Sequence, residues 1–386
     1  MRKRLVIVIT LIVLLHLFIG IGLIPYLSLN RSVNILCICL LIVSSIVIPL
    51  GMFATRFNSK NRKLSDIVSW IGMLDLGLFS SLFILTLIKQ IIFLFYNFFA
   101  GFNYELEHYA SLAVLVLAVL VTVIGFINAR SLAKVVKINI PIVNLPKELE
   151  NFTIVQISDI HVGPTIKYKY LSKIVDKVNK LNADMIAITG DLVDGSVENL
   201  SAHVQPLARL KSKYGSFFVL GNHEYYSGAN EWIDEIRSLG IVVLLNQHTV
   251  IQHNNIDLVI AGITDYSGEK FGIEHKSDPE KAQISAPLDA IKILLAHQPR
   301  SAIIAEKFGY DLQLSGHTHG GQFWPWNFFV TTQQPFNIGL HRINKMWLYI
   351  NRGTGYWGPP KRLGKSAEIT QIRLIRDINK NDLVDL

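Results

Sequence analysis

The sequence predicts a chain of two parts, an all-α region of four transmembrane helices followed by an α/β domain. Long uncharged apolar runs are confined to the first 130 residues. After about residue 146, short β-rich runs alternate with amphipathic helices, and chelating side chains follow several of the predicted strands. Of the 386 residues, half are hydrophobic and only 17% are charged, a composition that excludes collagen, coiled-coil and disordered chains.

Four apolar runs predict the membrane spans, because each exceeds the roughly 18–20 residues needed to cross a hydrocarbon core. We expect the spans at about 5–29, 33–55, 67–99 and 109–129. A cleaved signal peptide is the alternative for the first run, but the run is too long and no small-residue cleavage site follows it. We therefore expect a retained membrane domain over residues 1–130.

The third span is interrupted by Asp75 and Lys89, and the first contains His16. Ionisable residues at membrane depth are candidates for a functional role. The alternative is structural: Asp75 lies near the cytoplasmic headgroups, while Lys89 reaches the interface or bonds to a neighbouring helix. Asp75 and Lys89 are fourteen residues apart, about 21 Å along a helix, and so cannot pair with each other on it.

Basic residues predict the orientation of the spans through the positive-inside rule. They precede the first span, fill the loop after the second and follow the fourth, namely Arg2, Lys3, Arg4, Arg56, Lys60, Arg62, Lys63, Arg130, Lys134 and Lys137. The two other loops hold Arg31 and the acidic pair Glu105 and Glu107. We therefore expect a multi-pass protein of the inner (plasma) membrane with its α/β domain in the cytoplasm.

The net charge of +8 comes mainly from the flanks of these spans. Residues 1–130 have ten basic and four acidic side chains, a net of +6, which leaves +2 for the remainder. Nucleic-acid binding is not expected, because it would require clustered basic residues on a folded domain. The two cysteines, Cys37 and Cys39, lie in an apolar run and are interpreted as packing residues.

The second part alternates predicted strands and helices. Helices are expected over 168–181, over 229–239 and after Pro299. Strands are expected at 154–157, 185–189, 217–220, 241–244, 258–261, 292–296, 312–315, 346–350 and 367–374.

Side chains able to bind a metal follow five of these strands. They are Asp159 and His161, Asp191, Asn222 with His223, His297, and the pair His317 and His319. Open α/β sheets place their ligand sites at this edge. Each motif alone is weak, but five in order at strand ends predict a metal site.

This series of motifs resembles the calcineurin-like metallophosphoesterase superfamily over about residues 150–375. The sequence is most similar to the membrane-associated bacterial branch, in which Gly-His-Thr-His-Gly-Gly-Gln at 316–322 and Arg-Gly-Thr-Gly at 352–355 recur. The resemblance implies a four-layer α-β-β-α sandwich over residues 150–376, after a linker at 131–149 and before a tail at 377–386. One departure is Ser366-Ala367-Glu368, where that branch usually has Pro before the Glu.

The resemblance also implies two metal ions at the edge of the sandwich. Asp159, His161 and His319 would hold the first, and Asn222, His297 and His317 the second, with Asp191 bridging both. His223 would stand beside the metals as the catalytic acid, with Glu224 either orienting it or lying on the surface. Imidazole and carboxylate ligands without thiolate suit Mn²⁺, Fe or Zn²⁺ and leave the choice open.

Two substrate-facing features have alternative interpretations. The aromatic stretch 323–330 is either a packed loop or an apolar wall and interfacial anchor for a lipid-linked substrate. Arg352 and Arg362 either grip substrate phosphate or are ordinary surface charges.

The sequence thus predicts a membrane-anchored, dinuclear metal-dependent phosphohydrolase. The expected substrate is a phosphodiester or a pyrophosphate, and the anchor makes a lipid-linked one attractive. The alternatives are a phosphomonoesterase, or a non-enzymatic membrane sensor or scaffold that binds ligand at the metal site. An enzyme domain outside the cell is a third possibility, which the basic loops oppose.

Overall fold

The computed structural model describes residues 2–54 and 62–377, with side chains from residue 6 onward. Position 1, the segment 55–61 and the segment 378–386 lie outside the described residues. They include Arg56 and Lys60 of the predicted cytoplasmic loop and nearly all of the predicted tail. The chain forms two compact units, of which the first comprises Met1–Arg130 with Gly358–Leu363 and the second the remainder.

Four apolar helices build the first unit, and each is long and apolar enough to cross a membrane. They are α1 (Arg2–Leu23), α2 (Arg31–Phe53), α3 (Arg62–Ala100) and α4 (Tyr104–Arg130). The four predicted helices are therefore present. Most of their large apolar side chains face outward, whereas soluble helices bury an apolar stripe. Such a surface suits a hydrocarbon surrounding.

Glycines allow α2 and α3 to cross closely. A Cβ atom added to Gly51 would lie 2.7 Å from the Cα of Gly72, and one added to Gly72 would lie 2.7 Å from the Cα of Gly51. Small residues at such crossings let two helix backbones touch, which is how apolar helices associate where no hydrophobic force acts between them. The crossing of α2 and α3 therefore depends on these two positions.

Lys89 is buried and pairs with a neighbouring helix. Its Nζ atom lies 2.5 Å from Oε2 of Glu107 on α4 and donates to the carbonyl oxygen of Gly22 at 3.0 Å. The ammonium group also lies 4.2 Å from the ring centre of Tyr26. A buried charge is tolerated when it is paired and hydrogen-bonded. The contacts therefore match the structural interpretation of Lys89.

A second polar cluster joins α1, α2 and α3. Nε2 of His16 lies 2.9 Å from Oγ of Ser44, and Ser44 in turn is hydrogen-bonded to Asp75. The other ring nitrogen of His16 lies 2.7 Å from the carbonyl oxygen of Ile12. All three side chains are thus satisfied within the helix bundle, as polar groups in apolar surroundings must be.

Residues Gly358–Leu363 pack among α3 and α4. Nζ of Lys361 donates to the carbonyl oxygen of Gly77 at 2.9 Å and also contacts Oγ of Ser81. The amide of Arg362 donates to the carbonyl oxygen of Gly125 at 2.8 Å. A Cβ at position 125 would lie 2.6 Å from Cγ of Lys361, so glycine makes room for the lysine stem. This short segment is therefore an integral part of the helical unit.

The second unit contains two six-stranded mixed sheets. The first sheet has the strand order β1-β12-β2-β3-β4-β5 and is parallel except between β12 and β2. Its strands are β1 (Lys134–Ile142), β2 (Thr153–Ile157), β3 (Met185–Ile188), β4 (Ser216–Phe218), β5 (Val242–Val243) and β12 (Glu368–Arg376).

The second sheet has the order β10-β11-β9-β8-β7-β6, with antiparallel pairs at both edges. Its strands are β6 (Gln247–His253), β7 (Ile256–Gly262), β8 (Ile291–Leu295), β9 (Leu312–Ser315), β10 (Gly339–Ile343) and β11 (Met346–Ile350). Central strands such as β3 and β9 are buried along their whole length, which explains their continuous apolar or uncharged sequences.

The two sheets face each other across one apolar core. Ile154 and Met185 from the first sheet pack in the same cluster as Ile260, Ile293 and Leu314 from the second. The helices are α5 (Tyr168–Asn179), α6 (Val197–Val204), α7 (Asn222–Ser227), α8 (Ala229–Ser238) and α9 (Ala302–Ala305). α5 and α8 bury an apolar face, and α9 belongs to a second cluster on the other side of the second sheet. The predicted α/β fold is confirmed.

Strand β1 lies inside the stretch that we interpreted as a linker. All nine of its residues pair with β12, from Lys134 with Glu368 to Ile142 with Arg376. Lysines and an asparagine interrupt the alternation of apolar residues in β1, so the pattern was weak. Residues 134–142 of the expected linker are therefore part of the first sheet, and Ser131–Ala133 alone separate α4 from β1.

The crossing of α2 and α3 gives a test of the helical unit. Replacing Gly72→Leu should destabilise it by about 1–3 kcal/mol, because the new side chain would overlap the backbone of α2. Thermal unfolding in detergent would measure the change. The control is Ala113→Leu, which adds a side chain of the same size on the exposed face of α4. Equal unfolding temperatures for the two variants would contradict the proposed packing.

Candidate metal centre

The seven predicted metal ligands all follow strands that end at one edge of the sandwich. Asp159 and His161 follow β2, Asp191 follows β3, and Asn222 follows β4 at the start of α7. In the second sheet, His297 follows β8, while His317 and His319 follow β9. Parallel strands bring their carboxyl ends to the same edge, so residues from five separate motifs converge.

These side chains form compact groups of possible ligand atoms. Within each group the possible ligand atoms all lie within 4.8 Å of one another. Two groups match the predicted sets closely: Asp159, His161 and His319, and Asp191, His297 and His317. The third is His161, Asp194 and His223.

The carboxylate of Asp191 lies between the first two groups. Its Oδ2 atom is 3.1 Å from Nε2 of His297 and 4.0 Å from Nε2 of His161. Within the groups, Nε2 of His161 lies 3.0 Å from Nε2 of His319, and Nε2 of His297 lies 3.2 Å from Nδ1 of His317. Oδ2 is therefore the oxygen that faces both groups, whereas Oδ1 accepts a hydrogen bond from the backbone amide of His223 at 2.9 Å.

Asn222 provides an independent test of whether a cation fits here. Its Oδ1 atom is buried and has no hydrogen-bond partner among the described residues. A buried carbonyl oxygen without a partner costs about 1–3 kcal/mol, so native structures rarely leave one unsatisfied. A bound divalent cation would satisfy it, as it would the imidazole nitrogens that face one another. The residues therefore fit a metal site.

Burial and charge set the protonation of the ligands. Burial and the neighbouring His297 together lower the pKa of His317 to about 3, so its ring is neutral at physiological pH. Burial alone would raise the pKa of Asp191, but the charges of His297, His223 and His161 outweigh it and hold this pKa well below its usual range. His317 and Asp191 thus have the forms that bind metals. The carboxylates of Asp191 and Asp159 instead outweigh burial and raise the pKa of His297, so a metal that binds His297 would displace its proton.

Five of the seven ligands have left-handed backbone conformations. The φ angles are 52° at Asp159, 55° at His161, 50° at Asp191, 71° at His317 and 50° at His319. Asp and His tolerate this region better than most residues, although each instance still costs energy. The strain is concentrated at the strand ends, which turns successive side chains toward one point.

Two glycines let the ligand loops approach one another. A Cβ at position 221 would lie 2.2 Å from Oδ1 of Asp191, and one at position 316 would lie 2.2 Å from Oδ2 of Asp159. Such distances exclude any larger residue without movement of the backbone. The Gly-Asn-His-Glu and Gly-His-Thr-His motifs therefore begin with glycine for a steric reason.

His223 lies beside these groups and is bonded to Asp194, a residue that the sequence analysis did not single out. Nδ1 of His223 is 2.6 Å from Oδ1 of Asp194, and Nε2 is 4.0 Å from Oδ2 of Asp191. Burial lowers the pKa of His223, but the charges of Asp191 and Asp194 raise it to about 9. The imidazole is thus held in its protonated form, with Nε2 on the side of Asp191.

Asp194 also contacts His161, whose Nδ1 lies 3.0 Å from its Oδ1 atom. One carboxylate therefore fixes a predicted ligand and the predicted acid together. The spacing Gly190-Asp191-x-x-Asp194 was the available signal, since both acids lie in the loop that follows β3. It was missed because a second Asp three residues away is common in surface loops.

Glu224 neither orients the His223 ring nor lies on the surface. It is fully buried, and its carboxylate accepts hydrogen bonds from the amides of Asp191, Leu192, Val193 and Gly221 at 2.7–3.2 Å. Glu224 therefore holds the backbone of the loop that carries Asp191 and Asp194.

The other substrate-facing candidates have different surroundings. Nε of Arg352 is paired with the buried carboxylate of Glu368, and Arg362 is buried in the helical unit. In the stretch 323–330, Phe323 is buried, while four aromatic side chains are exposed. The packed-loop interpretation therefore holds for Phe323 alone. The amide of Gly355 donates to the carbonyl oxygen of Asp159, which aligns the 352–355 segment with the first ligand loop.

The sequence matches known proteins over this unit. The family model for calcineurin-like phosphoesterases matches residues 152–321. An uncharacterized metallophosphoesterase of Campylobacter jejuni is 37% identical over 282 residues, which cover 71% of each chain. A transmembrane protein with metallophosphoesterase domain from Danio rerio is 38% identical over 271 residues, or 68% of this chain. The match spans 62% of that relative, less than two thirds of its length.

Among solved structures, a putative 5′-nucleotidase from Staphylococcus aureus is similar at a TM-score of 0.37 and 16% sequence identity. The match covers 61% of this chain and 57% of that one.

The hydrogen bonds of Glu224 give a test of the loop. Glu224→Gln should lower the free energy of unfolding by roughly 1–3 kcal/mol and weaken metal retention, because an amide NH₂ group would face backbone N–H donors. Thermal unfolding and metal content after dialysis would measure both effects. Glu231→Gln, an exposed change on α8, is the control. Wild-type metal content in Glu224→Gln would contradict the assignment.

Proposed function

The chain belongs to the calcineurin-like metallophosphoesterases, and from this membership we propose that it is a membrane-anchored, dinuclear metal-dependent phosphohydrolase. The observation that carries the proposal is the carboxylate of Asp191 between two groups of chelating side chains. The first metal would be held by Asp159, His161 and His319, and the second by Asn222, His297 and His317. Mn²⁺, Fe and Zn²⁺ all suit this ligand set.

When bound, two such cations would supply an activated water and neutralise charge on the phosphoryl oxygens. The residues of the chain have distinct parts in that chemistry. Asp191 would serve both metals from its position between the two groups, which Oδ2 faces, while Oδ1 accepts a hydrogen bond from the backbone amide of His223. Asp194 and Glu224 hold the loop that carries it, the first by bonds to imidazoles and the second by bonds to backbone amides.

His223 is the proposed general acid. The Nδ1–H group of His223 donates a hydrogen bond to Asp194, so the N–H group at Nε2 faces the space beside Asp191. With a pKa raised to about 9, the ring is protonated at neutral pH and can give that proton to a departing alkoxide. A positioned acid of this kind contributes about 10²–10⁴-fold to the rate.

We propose a phosphodiester or a pyrophosphate as the substrate, and phosphomonoesters as the alternative. The preference for diesters rests on family resemblance, since the site residues suit either class. A substrate attached to a lipid is attractive because the chain carries four helices suited to a membrane. A sensor or scaffold that binds ligand without turnover is the rival proposal. The complete set of ligands, and the hydrogen bond from His223 to Asp194 that holds the ring beside Asp191, favour the enzyme.

We further propose that the four helices cross the inner (plasma) membrane and that the catalytic unit is cytoplasmic. The basic residues near α3 and after α4 support this orientation, as do the acidic residues Glu105 and Glu107 at the start of α4.

Activity against a chromogenic phosphodiester tests the proposed reaction. We expect Mn²⁺-dependent hydrolysis that chelator abolishes. His223→Ala should lower kcat by about 10²–10⁴-fold with metal content unchanged, because the residue donates a proton and is not a ligand. Asp191→Asn should lose both activity and metal. Two bound metals in a wild-type protein that hydrolyses neither diesters nor monoesters would favour the sensor.

Cysteine labelling tests the orientation. In a chain with Cys37→Ala and Cys39→Ala, a membrane-impermeant maleimide should label Phe102→Cys in intact cells. It should label Ser238→Cys only after permeabilisation, because the two positions would lie on opposite sides of the membrane. Both are exposed, one between α3 and α4 and the other on α8. Labelling of position 238 in intact cells would place the catalytic unit outside.

A further inference from the structure

Exposed aromatic side chains flank the proposed general acid. The ring centre of Trp357 lies 5.7 Å from that of His223 and the ring centre of Tyr226 lies 5.4 Å from it, both edge to face. Phe271 continues the row at 5.9 Å from Tyr226. Exposed fractions are 52% for Trp357, 57% for Tyr226 and 46% for Phe271. Neither the proposed metal ligands nor the proton transfer accounts for these rings.

Trp357 is fixed in place rather than loose on the surface. Its amide donates to Oε1 of Gln322 at 2.9 Å, and its carbonyl oxygen accepts from Nε2 of the same side chain at 3.0 Å. Gln322 ends the motif that supplies His317 and His319. Both backbone groups of Trp357 are thus bonded to the loop that carries His317 and His319, and the indole ring lies against His223. The ring therefore forms a contact surface that is in place before a ligand binds.

Tyr226 is fixed by the helix that carries the acid. It lies three residues after His223 on α7, a spacing that puts both side chains on the same face of the helix. The phenol is therefore directed along the same side of the site as the imidazole. Two rings from distant parts of the chain thus converge on one residue, and both present apolar faces to solvent.

We propose that Trp357 and Tyr226 form a subsite for the leaving group, and that this group presents a flat ring, as an aryl alcohol or a nucleoside does. The inference rests on the proposed function, because His223 must protonate the departing oxygen from within about 3 Å. The group attached to that oxygen then lies against the two rings that flank His223. Exposed aromatic side chains bind flat rings by stacking, and they do so for any nucleobase because every base has a flat aromatic face.

Two matched pairs of methyl phosphodiesters test the subsite with the full-length protein in detergent. In the first pair, the leaving group of one diester is an aryl alcohol and that of the other is a fluoroalkyl alcohol of equal acidity. In the second pair, the leaving group is adenosine in one diester and ribose in the other, each esterified through the 5-position. Within each pair the acidity of the leaving alcohol is matched, and the flat ring is the main difference. The measured quantity is the ratio of kcat/KM within a pair, followed by chromatographic detection of the released alcohol.

The wild-type ratio should exceed about tenfold in at least one pair, and which pair does so distinguishes an aryl group from a nucleoside. Trp357→Leu and Tyr226→Leu should bring that ratio toward one, because kcat/KM should fall more for the ring-bearing member of the pair than for the ring-free member. Trp357→Phe and Tyr226→Phe, which retain an aromatic face, should preserve it. Trp326→Leu, an exposed tryptophan outside the row, is the matched control.

The outcomes separate the subsite from the proposed function. Metal-dependent turnover with a ratio near one in both pairs would overturn the subsite and leave the phosphohydrolase intact. So would an equal fall for both members of a pair, which indicates a structural role, or a ratio that depends on Trp326 instead. No metal-dependent turnover of any diester would overturn the proposed diester hydrolysis, and the subsite with it.

Discussion

The site depends on the burial of carboxylates among imidazoles at the strand ends. Asp159 and Asp191 are almost completely buried, and removing a carboxylate from water is costly unless cations and hydrogen-bond donors replace the solvent. The histidines of four loops supply that replacement, and a bound divalent cation would add to it. Left-handed backbone at five ligands and glycines at the close approaches are the conformational costs of this arrangement.

Hydrogen bonds position Asp191 and the residues around it. Glu224 fixes the backbone of its loop, Asp194 fixes two imidazoles, and Gln322 fixes Trp357 beside one of them. Each of these supporting residues makes hydrogen bonds to other parts of the protein. A substrate would therefore meet side chains whose positions are set before it binds, which is the condition for efficient transition-state stabilisation.

Sequence patterns predicted the parts of the structure that local physics determines. Long uncharged runs required helices, and buried strands such as β3 and β9 required continuous apolar or uncharged segments. β1 was missed because its lysines weaken the alternation and because its stability comes from pairing with β12, more than 230 residues away. Glu224 was ambiguous for the same reason, since its hydrogen-bond partners lie in another loop. Long-range pairing leaves little trace in a single sequence.

The helical unit is encoded in two separated stretches, since Gly358–Leu363 belongs to it although residues of the α/β unit precede and follow this segment in sequence. A genetic exchange with a crossover at residue 130 would bring in a foreign α/β unit together with a foreign version of this segment. The new residue at position 361 would then have to bond to the carbonyl oxygen of Gly77 and the hydroxyl of Ser81, and to fit against Gly125, in helices from the other parent. The two units are therefore expected to have been inherited together, and chimaeras should carry helices and segment from one parent.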